Sequence, residues 1–319
     1  MRISCNDFKD NYAYLNTELH DILFSWPKLR HAVVTMGSPS LRAAMPSTQH
    51  AFAFALHKIF ALESVIEIDD QGTLQLPDHY EDLDQSEKGV LSYWLGMCVT
   101  KVVAAEILDV PWPVHLRHLM KAIRIYMKDK QFPDYVGIDS RDNWHVIEAK
   151  CFQTEPGRKH REQWEKQVDS VDFISDQLPD TRSYCLTRLK PRISIELTDP
   201  EDEVKKRKIN LSIKPEQSQR FYYRPYLDLF SDELQAENKT DDKGILYKSI
   251  GFDSLNRTKY SIAIERNILE KVLRDELVKK IEPVLKDDWY LGSDGIGLKK
   301  EEATEADCIE YNRHHRKRS

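Results

Sequence analysis

Residues 133–150 read PDYVGIDSRDNWHVIEAK, and the fold turns on how this stretch is read. Residues 134–138 (DYVGI) are short and rich in β formers, 140–143 (SRDN) are turn residues, and 144–149 (WHVIEA) alternate as a half-buried strand does. The pattern predicts a hairpin that brings Asp134 and Glu148 together at its open end. Side chains alternate along a strand, so Lys150 falls on the same face as Glu148 while Ala149 points the other way, into the core.

That geometry suits one kind of chemistry. Hydrolysing a phosphodiester requires neutralising charge at the phosphate and deprotonating a water, and a bound Mg²⁺ or Mn²⁺ supplies both. Such hard cations take oxygen ligands and keep several waters. Two carboxylates from adjacent strands make a half-cage of the right donors, and the Ala149 carbonyl is a further candidate ligand. An ammonium beside them, from Lys150, would orient the attacking water, assist its deprotonation or stabilise the charged transition state.

Pro133-Asp134, thirteen intervening residues and Glu148-Ala149-Lys150 resemble the signature of the PD-(D/E)XK nuclease superfamily. The resemblance covers residues 89–190. It implies a mixed α/β (α+β) fold with a restriction-endonuclease-like αβββαβ core, Asp134 and Glu148 as metal ligands, and Lys150 as the catalytic lysine. It also implies a Mg²⁺- or Mn²⁺-dependent nuclease, with DNA favoured over RNA as the nucleic acid. Many members carry an acidic residue on the first core helix, for which Glu106 is the candidate. In some relatives a glutamate follows a glycine on that helix, whereas here Gly96 is followed by Met97. Exonuclease-like branches place a glutamine on the helix after the lysine. Gln163 and Gln167 lie one turn apart there, and Gln167 is preferred. Arg158, Lys159 and Arg161, with His160 among them, open the same helix and are candidate phosphate contacts. By analogy with relatives, the chain is expected to act alone or within a multi-component defence or DNA-processing system. The competing readings are a non-catalytic nucleic-acid-binding or assembly protein on the same fold, and a helical interaction protein that carries the motif by chance.

Working outward, residues 85–108 predict a long helix capped by Ser86 and ended by Pro111-Trp112-Pro113. Residues 114–128 mix helical and strand signals. Residues 157–177 predict a helix ended by Pro179, and 183–189 a strand. The expected order is therefore helix, uncertain strand, strand, strand, helix, strand. Before this core, 1–88 form a mainly helical region containing a buried helix at 47–65. After it, 191–319 form a mixed α+β extension. Strands are expected at 193–197 and 209–213, around the charged block 199–208, and at 260–264. An amphipathic helix at 267–285 offers a dimer interface, and the extension ends in a basic tail at 313–318. Tyr222, Tyr223 and Tyr226, interleaved with Arg220 and Arg224, suit core packing better than base stacking.

The net charge of −6 excludes a surface coated in basic residues, though a nuclease needs only a local basic patch. Five scattered cysteines argue against a disulfide framework or a cysteine zinc site. With no signal-peptide pattern and no long apolar run, the expectation is a cytoplasmic protein without membrane attachment.

Overall fold

The hairpin expected at residues 133–150 is present and lies inside a seven-stranded mixed sheet. The computed structural model describes residues 1–17, 20–36, 48–125, 132–200, 209–235, 244–253, 257–286 and 289–304. In chain order, β1 (Arg2–Asn6) and β2 (His20–Asp21) precede helices α1 (Trp26–Thr35) and α2 (Thr48–Glu63). A small hairpin of β3 (Glu67–Ile68) and β4 (Leu74–Gln75) leads into the long helix α3 (Gln85–Glu106). Then come β5 (Val114–His115), α4 (Leu116–Ala122), β6 (Tyr135–Ile138), β7 (Trp144–Phe152), α5 (Arg158–Val168), β8 (Val171–Ile174), β9 (Thr181–Arg188) and β10 (Ser194–Thr198). The remainder holds β11 (Ile209–Leu211), α6 (Pro215–Leu229), α7 (Ser231–Gln235), β12 (Ile245–Asp253), β13 (Thr258–Glu265), α8 (Arg266–Leu273), β14 (Val284–Lys286), β15 (Trp289–Leu291) and β16 (Ile296–Glu302).

The central sheet has the order β2-β1-β10-β9-β7-β6-β5. β5, β6 and β7 form an antiparallel meander, and α5 then carries the chain across so that β9 runs parallel to β7. The fold is mixed α+β, with the order helix, three strands, helix, strand, with α4 inserted between β5 and β6 and β8 before the last strand. β1 and β10, from the two flanking segments, pair in parallel and lengthen the same sheet. One buried core runs from Ile3 to Leu298, so the three segments read from the sequence share a single hydrophobic interior. A second, antiparallel sheet of order β12-β13-β16-β15-β14 packs on α1.

Several local expectations need correction. Helix α3 is capped by Asp84, whose backbone N–H donates to the Glu87 carboxylate at 2.9 Å, and Ser86 lies inside it. Helix α5 stops at Val168. Val171 and Ile174, expected on that helix, instead form β8, which pairs in parallel with the distant β11. The expected helix at 267–285 stops at Leu273, because Asp275 adopts a left-handed φ of 56° and the chain then returns as a strand. Its residues Ile268, Leu269 and Val272 are buried in the core, leaving Leu273, Leu277 and Leu285 exposed. The stripe offered for dimerisation therefore faces inward over most of its helical part. Tyr222, Tyr223 and Tyr226 are buried, as core packing requires. The basic tail at 313–318 and most of the charged block at 199–208 lie outside the described residues. No helix among the described residues is long and apolar enough to cross a membrane.

Two features hold these layers in register. At Gly96, α3 comes down onto β7 so closely that an added Cβ would lie 3.0 Å from the Cys151 Cβ and 3.3 Å from the Lys150 carbonyl carbon. Behind it, the buried Asp294 accepts from the Tyr222 hydroxyl and from the Ile296 N–H at 3.1 Å. Its other oxygen contacts are His31 Nε2 at 3.0 Å and Lys101 Nζ at 3.5 Å. It thereby ties the second sheet to α1, α3 and α6. Burial pushes the Asp294 carboxyl up, but His31, Lys101 and the donated hydrogen bonds overcome that and hold it below the ordinary carboxylate range.

Gly96→Val should separate α3 from β7 at a cost of about 1–3 kcal/mol, read as a lower thermal unfolding midpoint. An unchanged midpoint would contradict the tight approach. Asp294→Ala should cost about 3–5 kcal/mol, because it leaves Lys101 buried without its counter-charge. A depressed carboxylate stabilises above its unfolded value, near pH 4, and loses that contribution as pH falls. Denaturant titrations should therefore show wild type and Asp294→Ala converging in acid.

Candidate active site

β6 and β7 pair Tyr135 with Ile147 and Val136 with Val146, which sets Asp134 opposite Glu148. Two backbone amides clip the carboxylates in place. The Asp134 N–H donates to Glu148 Oε2 at 2.9 Å, and the Ala149 N–H donates to Asp134 Oδ2 at 3.1 Å. The Lys150 ammonium donates to Glu148 Oε1. Glu148 is only 1% exposed, while Lys150 reaches it from the half-open side. The structure thus brings together the three motif residues that the sequence selected.

The two carboxyls also act on one another. Burial raises the affinity of both for a proton, and the Asp134 charge adds to the effect on Glu148. Lys150 opposes it for both, and the Ala149 N–H and Arg117 oppose it for Asp134. Two like charges this close and this dry do not both ionise freely, which favours keeping a proton on the pair.

The far end of the hairpin is locked. Asp139 accepts from the backbone N–H groups of Arg141 at 2.8 Å and Asn143 at 2.9 Å, and from the Tyr12 hydroxyl at 2.8 Å. His145 lies against the same carboxylate and meets Thr181 Oγ1 at 2.9 Å, joining β7 to β9. A slip of one residue would turn every side chain to the opposite face. This lock excludes that slip and fixes Asp134 against Glu148.

The other expected residues divide. Gln167 reaches the loop that carries Asp134, its Nε2 lying 3.5 Å from the Phe132 carbonyl oxygen, whereas Gln163 is exposed one turn earlier. Glu106 is not at the site. It pairs with Lys28 at 2.6 Å near the end of α3, about 20 Å along the helix from Tyr93 at 1.5 Å per residue. Arg161 is committed elsewhere, donating to Glu196, Glu155 and the Tyr184 hydroxyl, so its guanidinium braces the sheet rather than meeting phosphate. Arg158 pairs with Glu162 at 2.7 Å, and Lys159 is exposed beside it.

Two neighbours were missed. Tyr93, 53% exposed on α3, lies within electrostatic reach of Asp134, Glu148 and Arg117. Arg117, exposed on α4, acts on Asp134 and stacks over the Phe132 ring at 5.4 Å from its centroid. An aromatic residue on the solvent side of an otherwise apolar helix was the available signal for Tyr93. Arg117 carried none, because residues 114–128 could not be assigned to one element.

Among the described residues no cluster of three or more His, Cys, Asp or Glu side chains converges on a metal site. The donors present are the Asp134 and Glu148 carboxylates. That set fits Mg²⁺ or Mn²⁺, which need one or two carboxylates and take water and phosphate oxygens for the rest. It does not fit a structural zinc, which requires four protein ligands. No family model, curated protein or solved structure matches the chain.

A raised carboxyl stabilises below its unfolded value, about 4.3 for glutamate, and loses that contribution as pH rises through its folded value. In metal-free buffer the wild-type melting midpoint should therefore fall relative to Glu148→Gln between about pH 5 and 8. The expected size is about 2 °C for each kcal/mol lost. Parallel curves would show that the pair holds no proton.

Proposed function

We propose that the chain is a metal-dependent nuclease that hydrolyses phosphodiester bonds in nucleic acid, with DNA favoured. One observation carries this reading: Asp134, Glu148 and Lys150 meet at the open end of one locked hairpin, with Glu148 bonded to both of the others. Asp134 and Glu148 would hold Mg²⁺ or Mn²⁺. When bound, such an ion polarises the phosphate and acidifies a water. The two carboxyls are presented from a rigid strand pair, so little ordering is needed when they bind. Ligands that must lose a proton bind metal more tightly as pH rises.

Lys150 has the second part. Its ammonium rests on Glu148 Oε1 and is partly open to solvent. From there it can orient the attacking water and neutralise charge that builds on the phosphoryl oxygens. Glu148 cannot leave its place, because its second oxygen is held by the Asp134 N–H. Gln167, through the Phe132 carbonyl, steadies the loop ahead of Asp134.

The test is cleavage of linear, circular and single-stranded DNA and of RNA, with Mg²⁺ or Mn²⁺, by wild type and Lys150→Ala. Wild type should cut at least one substrate, and Lys150→Ala should cut it about 100-fold or more slowly. Absence of cleavage by wild type on every substrate would remove the nuclease reading. Equal rates for the two proteins would remove the assigned site.

A further inference from the structure

Several cations of this chain pair with carboxylates, among them Arg158 with Glu162, Arg188 with Glu155, Lys190 with Glu81, Arg220 with Asp275 and Lys280 with Asp109. Helix α4 instead gathers three unpaired ones beside the candidate site. Arg117 and Lys121 stand one turn apart on its exposed side, and Arg124 follows just past its end, also exposed. None of the three makes an ion pair with a described residue. This ridge begins at the candidate site. The Leu116 N–H donates to the Asp134 carbonyl oxygen at 2.8 Å, and from there the ridge runs about 10 Å along the helix.

Aromatic surface borders the same place. The Tyr93 ring is exposed within electrostatic reach of Asp134 and Glu148, and Phe132, one residue before Pro133-Asp134, carries the Arg117 guanidinium on its face. Unpaired cations beside an exposed tyrosine ring, with the half-buried Phe132 ring under Arg117, suit a strand whose bases are free to stack. A duplex keeps its base faces inside and could use only the charges.

We propose that Arg117, Lys121 and Arg124, with the rings of Tyr93 and Phe132, bind an unpaired nucleic-acid strand and lead it across Asp134 and Glu148. The substrate class is thereby single-stranded or locally opened nucleic acid. The inference rests on the nuclease reading for its chemistry, but its binding surface can be tested apart from cleavage. In an acidic protein a local ridge of this kind concentrates phosphate contact at one place.

The experiment measures binding of the full chain to labelled single-stranded and duplex oligonucleotides of one sequence, in metal-free buffer, by fluorescence anisotropy across a salt series. The single strand, as DNA or RNA, should bind more tightly than the duplex. Arg117→Ala with Lys121→Ala should reduce the slope of log affinity against log salt by about 0.7 for each phosphate contact removed. Tyr93→Ala should weaken single-strand binding about tenfold, as the loss of one base stack does, and leave duplex binding unchanged. Tyr93→Phe should retain it. These side chains are exposed, so the variants keep the fold, which circular dichroism checks. An unchanged salt slope, or equal affinity for duplex with no effect of Tyr93→Ala, would overturn the proposal. Tight single-strand binding without cleavage would remove the nuclease reading and leave this surface standing. Cleavage with binding untouched by the variants would do the reverse.

Discussion

Asp134 and Glu148 face each other across β6 and β7 with Glu148 almost wholly out of water. Burying a carboxylate costs several kcal/mol per ion unless it is paired and hydrogen-bonded, and burying two together adds their repulsion. Two backbone amides and the Lys150 ammonium offset part of that cost. A proton kept on the pair would offset more. On the proposed function, a divalent ion would replace such a proton and remove the repulsion at once.

The rest of the sheet keeps this unfavourable pair in place. Relaxation would require the two strands to slide or part, and the structure blocks both. The Asp139 turn, with Tyr12 and His145, holds one end of the hairpin. Gly96 lets α3 press directly on β7 beside Lys150 and Cys151. On the other side, Arg161 reaches from α5 to Tyr184 on β9 and Glu196 on β10, bracing the strands next to β7. The arginine that had suggested phosphate binding is thus part of the frame that makes the site rigid.

What could be read in the sequence follows from how local each cause is. The hairpin was legible because its strands, its turn and its charged ends lie within eighteen residues. The length of α3 was legible from its apolar run and the prolines that follow. β8 was not, since its pairing partner β11 lies beyond β9 and β10 in the chain, and no window of a dozen residues contains both. The end of α8 was hidden because the apolar spacing of residues 268–285 continues through Asp275, where the backbone turns left-handed. Glu106 and Arg161 have the right residue types on the right helices. Their partners, Lys28 and Glu196, come from strands and helices that only the folded chain brings near. Tyr93 and Arg117 belong to the site for the same long-range reason.

The α4 ridge and the carboxylate pair are mechanically one object. Leu116 opens α4 and donates its N–H to the carbonyl of Asp134, while Arg117, the next residue, stacks on Phe132 just ahead of Asp134. Gln167 touches the same Phe132 from α5. A load on Arg117 would therefore be transmitted through one hydrogen bond and one ring contact to the loop carrying a candidate metal ligand. A nucleic-acid strand lying on α4 would press on the loop that positions Asp134. Asp134 is the less constrained carboxylate, since it precedes β6 and has one backbone amide at 3.1 Å, whereas Glu148 has an amide and the Lys150 ammonium. Glu148, buried within β7, stays fixed. Substrate contact would thus adjust one side of the pair against a stationary partner, which ties strand binding to the geometry of the site without any large movement of the fold.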